Sequence, residues 1–273
     1  EKISNTVIFN LCWCSCQRRG KNSLRFAFSR TVTRPSFIEM APFLYQESYG
    51  SAQIRGNADL QNGYNYNIDL RYELFEKNGD MLSITAYYKH LKAPIERVQT
   101  LSGGSAVHSF RNADNGMATG VEIEFRKEIV KDLRFGVNGS YMYTNVKLPK
   151  GGAYTNSQRA LQGASPYLAN ADLTYSPAFS NDRQLSVALL YNLQGPRIHS
   201  VGISGLGDIK QQPVHTLNFT GSFNRRFAVK LQVNDLLNQD ILFKQEVPTT
   251  GDKVEVERFR KGTGFEVGFS YDL

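Results

Sequence analysis

A strict alternation of apolar and polar residues recurs along most of this chain and constrains its fold more than any other feature. Residues 64–74 read YNYNIDLRYEL, with Tyr, Ile or Leu at every second position and Asn, Asp, Arg or Glu between them. Residues 264–273, GFEVGFSYDL, repeat the pattern. Successive side chains of a β-strand point to opposite faces, so this period predicts strands with one apolar and one polar face. About ten such segments lie in the sequence, and none has a sustained helical period. We therefore predict an all-β antiparallel meander of about ten strands.

The connections between these segments are alternately short and long. In a meander, this alternation places every long connection at the same end of the sheet. Outer-membrane barrels have short periplasmic turns and long extracellular loops, so the pattern favours part of a transmembrane β-barrel. A soluble sandwich gives no reason to sort its loops in this way. The short turns are 76–79, 130–132 and 224–226, and the long loops are 35–63, 93–115, 149–164 and 196–212.

The two faces of the predicted strands have different chemistry. The apolar face has Tyr and Phe near the strand ends, as in the aromatic girdles at the two membrane interfaces. The polar face has acidic and basic side chains close together, which suits a hydrated lumen where opposite charges pair. The predicted lipid-facing residues are Leu133, Phe135, Val137, Leu173, Leu189, Phe219, Leu231 and Phe269, and Asn138, Thr174 and Gln232 are predicted to face the lumen. The charged lumen set, for which we expect mutual ion pairs and contacts with a plug rather than a substrate path, is Asp69, Arg71, Glu73, Glu122, Glu124, Arg126 and Asp172.

Closure of the barrel is a separate question. In a closed barrel the last strand pairs with the first, which explains how alternation can continue to residue 273 without a frayed end. Strand number and shear must agree for closure, however, and about ten staggered strands need not meet that condition. We therefore expect an open or partial barrel with edges at 24–32 and 265–273.

The composition argues against some classes of protein. The formal charge is +7 with a pI near 9.2, but the basic residues are scattered singly, so we do not expect nucleic-acid binding. No run of about 18 apolar residues is present, which argues against a transmembrane helix. The mean hydropathy of −0.39 fits either a soluble protein or an outer-membrane barrel.

The first 20 residues differ from the rest of the chain. All 3 cysteines lie there, at Cys12, Cys14 and Cys16, and this spacing does not match a zinc finger. We expect residues 1–20 to be an atypical segment outside the native framework and residues 21–273 to be the barrel. We expect no metal site in this segment.

Candidate binding residues lie in the predicted extracellular loops, where an external ligand arrives first. His108 and His199 also lie in such loops, so a metal or haem contact there stays open as an alternative. No nucleophile elbow is present, and the glycines at 202–207 lack phosphate-loop spacing, so we predict no enzyme activity, no catalytic residue and no cofactor. The candidate ligand-binding residues are Phe43, Tyr45, Tyr49, Arg55, Phe110, Arg111 and Tyr154.

Several stretches, in order along the chain, resemble the C-terminal barrel portion of TonB-dependent outer-membrane receptors, most closely those of Bacteroides-type bacteria. They are LRFAFSRTVTRPSFIEMAPF, GNADL, RYELFEKNGDMLSITAYYKHLKAPIE, GVEIEFRKE, LQGASPYLANADLTYS and LQVNDLLNQ. The resemblance covers about 21–273. Two positions depart from the family pattern, since Ala58 stands where the loop motif usually has Pro, and Leu273 where these barrels usually end in an aromatic residue.

The resemblance implies a function. A receptor of this family is an active transporter that binds a scarce nutrient in its extracellular loops and lumen and is energised by TonB acting on a plug domain. The sequence shows no plug and no TonB box, so we expect a fragment of such a receptor. The implied partners are outer-membrane lipid, TonB, the barrel-assembly machinery and a small nutrient ligand of unknown identity. A small outer-membrane barrel with an adhesive or structural role is the alternative, and a barrel enzyme is a third class.

Overall fold

The computed structural model confirms an all-β architecture. Within the ranges that it describes, no helix is long and apolar enough to span a membrane. The described residues are 10–11, 22–47, 52–76, 78–102, 105–147, 158–177, 179, 184–202, 205–224 and 227–271.

The wall of the molecule is an antiparallel meander of ten long strands, as the alternation predicts. Each long strand pairs with the neighbouring long strands along the chain, and the connections between them alternate between short turns and long excursions. In spatial order the wall strands are β1 (Asn10–Leu11), β2 (Asn22–Thr33), β5 (Gly63–Phe75), β6 (Met81–Lys92), β9 (Asn115–Val130), β10 (Leu133–Lys147), β12 (Tyr167–Tyr175), β13 (Gln184–Gln194), β16 (Val214–Asn224), β17 (Phe227–Asn234) and β20 (Gly264–Tyr271), with β11 (Gln158–Arg159) added on β10.

The register places the predicted lipid-facing residues on one face. Directly paired residues of antiparallel strands share a face, and Phe135, Leu173, Leu189 and Phe219 are successive partners across four wall strands. Leu133, Val137, Leu231 and Phe269 lie an even number of residues from this row along their own strands, so they share its face. Asn138, Thr174 and Gln232 lie an odd number of residues away and are on the opposite face. The sequence prediction of the two faces is therefore confirmed by the register.

Burial on these two faces is inverted relative to a soluble protein. Apolar side chains such as Leu173 and Phe269 are 40% and 79% exposed. On the polar face, Glu73 and Ser83 are only 4% and 2% exposed. A sheet that buries its polar face and exposes its apolar face has curled with the polar side inward, as a barrel wall does.

The wall is open among the described residues. β20 pairs with β17, and no ladder joins it to β2, whose outer side pairs with β1 at Phe28 and Ser29. The predicted edge at 265–273 is therefore present as far as Tyr271, and residues 272–273 lie outside the described ranges. The predicted edge at 24–32 is wrong at Phe28 and Ser29, because β1 supplies backbone partners there.

The long connections fold into a second sheet, which we call the cap, at one end of the wall. These connections were predicted to be long loops, but 93–115 and 196–212 are hairpins, and a further hairpin at 241–259 was not predicted. The connection 35–63 contains α1 (Phe37–Met40), closed by a capping box between Ser36 and Glu39. In spatial order the cap strands are β19 (Lys253–Phe259), β18 (Ile241–Glu246), β15 (Ile209–Gln211), β14 (Arg197–Gly202), β7 (Ile95–Ser102), β8 (Ser105–Asn112), β4 (Gln53–Arg55) and β3 (Leu44–Tyr45).

Candidate functional site: the cap and the polar face beneath it

The predicted ligand-binding residues fall in two adjacent parts of the cap. The rings of Phe43 and Tyr45 meet edge to face with centroids 6.2 Å apart, and Arg55 pairs with Leu44 across β3 and β4. Tyr45 also packs on the cluster of Ile54, Leu60 and Phe110. The structure therefore brings Phe43, Tyr45, Arg55 and Phe110 together, with Arg111 next along β8, while Tyr49 and Tyr154 lie outside the described residues.

These residues differ in how far their side chains are exposed to solvent. Phe43 is 60% exposed, and Arg55 and Arg111 are also open to solvent. Phe110 is only 9% exposed and fills the core of the cap. In this arrangement Phe110 supports the surface rather than forming it, and a ligand role for the exposed members stays a prediction.

Two hairpins of the cap, β7–β8 and β14–β15, meet along a short seam. β7 and β14 run parallel, with Val98 opposite Val201 and Gln99 opposite Gly202. Val98, Ile198 and Val201 form the apolar cluster beneath this seam. Within the described parts of these hairpins, two ladder pairs join β7 to β14, so other contacts must help to hold the halves of the cap together.

A short segment at 158–164, which we call the latch, supplies those contacts. Gln162 Oε1 accepts a 2.5 Å hydrogen bond from the backbone N–H of Arg97, and Gln162 Nε2 donates to the His199 carbonyl at 2.5 Å. The Gly163 N–H donates to the Ile198 carbonyl at 2.9 Å. One amide side chain thus bridges β7 and β14.

A buried ion pair ties the same latch to β7. Arg159 and Glu96 are 9% and 2% exposed, and Arg159 Nη1 donates to Glu96 Oε1 at 3.0 Å while Nη2 donates to Oε2. This bidentate geometry satisfies both carboxylate oxygens, which a buried carboxylate requires. Leu161 N donates to Thr144 Oγ1 at 3.0 Å, so the latch is also held to the wall.

His108 and His199 lie on either side of the seam, with ring centroids 6.5 Å apart. Arg97 Nε donates to His108 Nδ1 at 2.8 Å, and Arg97 Nη1 bonds Glu47 Oε2 at 2.9 Å. Because Nδ1 accepts, the proton of neutral His108 is on Nε2, where no described group accepts it. A protonated nitrogen has no lone pair for a metal, so this arrangement presents a buried N–H donor instead.

The protonation state of both rings follows from their surroundings. Burial, then the charge of Arg97 and then His199, lower the pKa of His108 from 6.5 to about 4. Burial and Arg97 also lower the pKa of His199. Both rings are therefore neutral at pH 7. Among the described residues, no group of three or more His, Cys, Asp or Glu side chains could hold a metal ion.

The polar face of the wall has a chain of alternating charges below the cap. Glu73 contacts Arg25 at 3.1 Å and Arg71 at 2.8 Å, and Glu124 contacts Arg71 at 3.8 Å and Arg126 at 2.7 Å. The Arg25 contact is electrostatic, since its angle does not meet that of a hydrogen bond. The mutual ion pairs predicted for this face are thus present for Arg71, Glu73, Glu124 and Arg126, and contacts with a plug stay a prediction.

Sequence reasoning missed the residues that hold the cap together. Glu96, Arg97, Arg159 and Gln162 belong to stretches interpreted as loops, and no motif marks them. Their partners are 63 to 65 residues away or lie in a different hairpin. The one available signal was the charged pair Glu96-Arg97 between Ile95 and Val98, in a segment that can pair as a strand.

Comparison with known proteins identifies the family to which this architecture belongs. Residues 16–271 match the outer membrane protein beta-barrel family. The chain belongs to that family. The wall is therefore in the outer membrane, with its exposed apolar face against lipid and its polar face toward the lumen. A search of curated protein sequences found no match.

Solved structures of the same fold are receptors and transporters. The ferric enterobactin receptor (PfeA) of Pseudomonas aeruginosa, in complex with BCV-L6, matches with a TM-score of 0.57 at 17% identity, over 91% of this chain and 38% of its own. The siderophore receptor PirA of Acinetobacter baumannii matches with 0.54 at 15% identity, over 82% and 36%. The copper transporter OprC matches with 0.64 at 14% identity, over 93% and 38%. At these identities the likeness establishes the fold alone, and the chain spans little more than a third of each structure.

Proposed function

We propose that this chain is the barrel part of a TonB-dependent outer-membrane receptor that imports a small nutrient. The observation that carries the proposal is a lumen-facing wall of paired charges, roofed by a packed cap that the long connections build. In this proposal the ligand binds first to the exposed residues of the cap and then passes into the lumen. Energy comes from TonB acting on a plug domain that fills the barrel.

The solved relatives suggest which nutrients to test first. They are a ferric enterobactin receptor, a siderophore receptor and a copper transporter. We therefore propose a metal ion or a metal chelate as the ligand class for this chain. The exposed Phe43, Arg55 and Arg111 fit this class, because many metal chelates are anionic and aromatic, and arginine and aromatic rings recognise both properties.

Uptake by whole cells tests the proposal. A strain lacking the gene, the same strain complemented with it, and a complemented strain without TonB should be given labelled ferric chelates and copper. We expect accumulation only in the complemented strain with TonB, and binding without accumulation when TonB is absent. Equal accumulation by all three strains for every ligand would contradict transport and favour the adhesive or structural alternative.

A further inference from the structure

Two rows of side chains cross the outward face of the wall just below the cap, over β2, β5, β6, β9 and β10. Directly paired residues define each row, so its members share the outward face. Both rows lie at the ends of the strands that lead into the cap. The row nearer the cap is Val32, Tyr64, Lys92, Asn115 and Lys147, and the next is Arg30, Tyr66, His90, Met117 and Asn145.

Arg30 is held in place by two aromatic rings. Its guanidinium carbon lies 4.7 Å from the ring centroid of Tyr64 and 5.5 Å from that of Tyr66. Stacking of this kind fixes the plane of the guanidinium and leaves its N–H groups free to donate. Its Nε is buried and no described group accepts from it. Because Arg30 also forms no ion pair with a described carboxylate, its terminal Nη groups are pre-oriented donors without an acceptor among the described residues.

The charge of these rows is positive and uncompensated. Arg30, Lys92 and Lys147 form no ion pair with any described carboxylate, and neither row contains Asp or Glu. Asp114, which precedes Asn115 above the rows, is the acidic residue nearest in sequence. On the opposite face of the same strands the arginines pair with glutamates. We call Arg30, Lys92 and Lys147 the basic patch.

The height of the basic patch relative to the apolar band follows from the residues below it on β5. Below it on β5, Ile68, Leu70, Tyr72 and Leu74 continue the outward face. From Tyr64, in the row nearer the cap, to Leu74 the strand advances ten residues, which at about 3.4 Å per residue and a tilt of about 40° span roughly 26 Å along the membrane normal, close to the height of about 25 Å of the apolar band of such barrels. The patch therefore lies at the level of the lipid head groups of the leaflet on the cap side.

We propose that the basic patch binds the phosphate groups of an anionic glycolipid in the outer leaflet. Phosphate matches the forked donors of a guanidinium and the point charges of two lysines. The acyl chains of the same lipid would pack on the exposed Phe28, Ile68 and Tyr88 directly below. The occupant is thus a phosphorylated lipid rather than free phosphate, since both halves of the surface are contacted at once.

Native mass spectrometry of the protein purified from outer membranes in mild detergent tests the proposal. Without divalent cations, the protein is titrated with diphosphorylated lipid A and with the same lipid after removal of both phosphates. We expect about tenfold tighter binding of the phosphorylated lipid, and loss of that preference in R30Q/K92Q/K147Q. K127Q is the matched control, because Lys127 lies on the same outward face at the opposite end of β9 and should leave the preference unchanged.

Heat-modifiable gel mobility verifies that each variant is folded. If the triple variant does not fold, the single variants K92Q and K147Q are tested in its place, because both side chains are exposed. Each should weaken binding of the phosphorylated lipid several-fold. Equal binding of the two lipids by the unaltered protein, or a preference that survives the substitutions, would overturn the proposal. Displacement of the lipid by an equal concentration of inorganic phosphate would also overturn it, because the acyl chains would then contribute nothing.

Discussion

A neutral, buried histidine makes the closed cap sensitive to acid. The pKa of His108 is about 4 in the closed cap and 6.5 when the ring is exposed. Above pH 6.5 the ring is neutral in both states, and its contribution to closure is complete. As the pH falls from 6.5 toward 4, only the opened cap binds the proton, so the closed cap loses stability. The lowered pKa of His199 acts in the same direction.

Hydrogen exchange measures this loss. Protection of the β7–β8 amides, normalised to that of β9–β10 in the same sample, should fall between pH 7 and pH 5. H108Q should reduce the dependence, because the glutamine amide accepts from Arg97 without titrating, and His199 should account for the remainder. A flat normalised profile in the unaltered protein would contradict the assignment.

The ion pair between Glu96 and Arg159 should be the most sensitive polar contact of the cap. E96Q leaves a buried guanidinium without its counter-charge, which costs about 3–5 kcal/mol when one partner of a buried pair is removed. We expect faster exchange in β7 and in the latch, with no change in the ten long strands of the wall. The control is E255Q, which breaks an exposed pair with Arg258 and should leave exchange in the cap unaltered. Similar profiles for the two variants would show that the buried pair contributes no more than a surface pair.

The seam between β7 and β14 predicts where the cap must open. If a ligand passes between the two hairpins, a disulfide across the seam should block uptake. Val98 and Val201 are directly opposite and buried, and V98C/V201C would bond them. In a background with Cys12, Cys14 and Cys16 replaced by serine, the oxidised variant should lose uptake and recover it on reduction.

A disulfide within one hairpin is the control for this experiment. V98C/S109C joins β7 to its own partner β8, so it changes the same valine without closing the seam. Uptake by this variant should not depend on the redox state. Unimpaired uptake by the oxidised seam variant would place the ligand path elsewhere.

The long strands were predictable and the cap was not, for a physical reason. In β5 and β20 each side chain faces either lipid or lumen, so local alternation records the environment directly. In β7 the buried positions include Glu96 as well as Val98, because Glu96 finds its countercharge on Arg159, 63 residues away. A pattern that depends on a distant partner has no local period.

The candidate site was likewise predictable from the sequence only in part. Position in the long connections was enough to bring Phe43, Tyr45 and Arg55 together at the cap surface. It was not enough to separate exposed side chains from Phe110, whose burial depends on Ile54 and Leu60 from another connection. The pairing of His108 with His199 likewise exists only after two hairpins have met.

At the scale of the whole molecule, the inverted burial predicts opposite responses at adjacent residues. Val137 faces lipid and pairs with Phe125, whereas Asn138 faces the lumen opposite Glu124. V137R places a charge in hydrocarbon at a cost of about 2–4 kcal/mol near the midplane, while N138R gains an acidic neighbour and water. Heat-modifiable gel mobility should show poor assembly of V137R and nearly normal assembly of N138R. Equal assembly of the two would contradict the membrane orientation of the wall.

The parallel seam has a mechanical consequence. Neighbouring long strands of the wall are joined by ladders of five to fifteen residue pairs, whereas among the described residues the two halves of the cap share two ladder pairs, the bridging Gln162 and a hydrogen bond from Gln245 to Gln99. A pulling force or a thermal fluctuation should therefore separate the two halves of the cap before it separates neighbouring strands of the wall. We therefore expect a stiff wall with a weaker cap that can open and close again, and the opening rate of the cap can change through a few side chains without any effect on the wall.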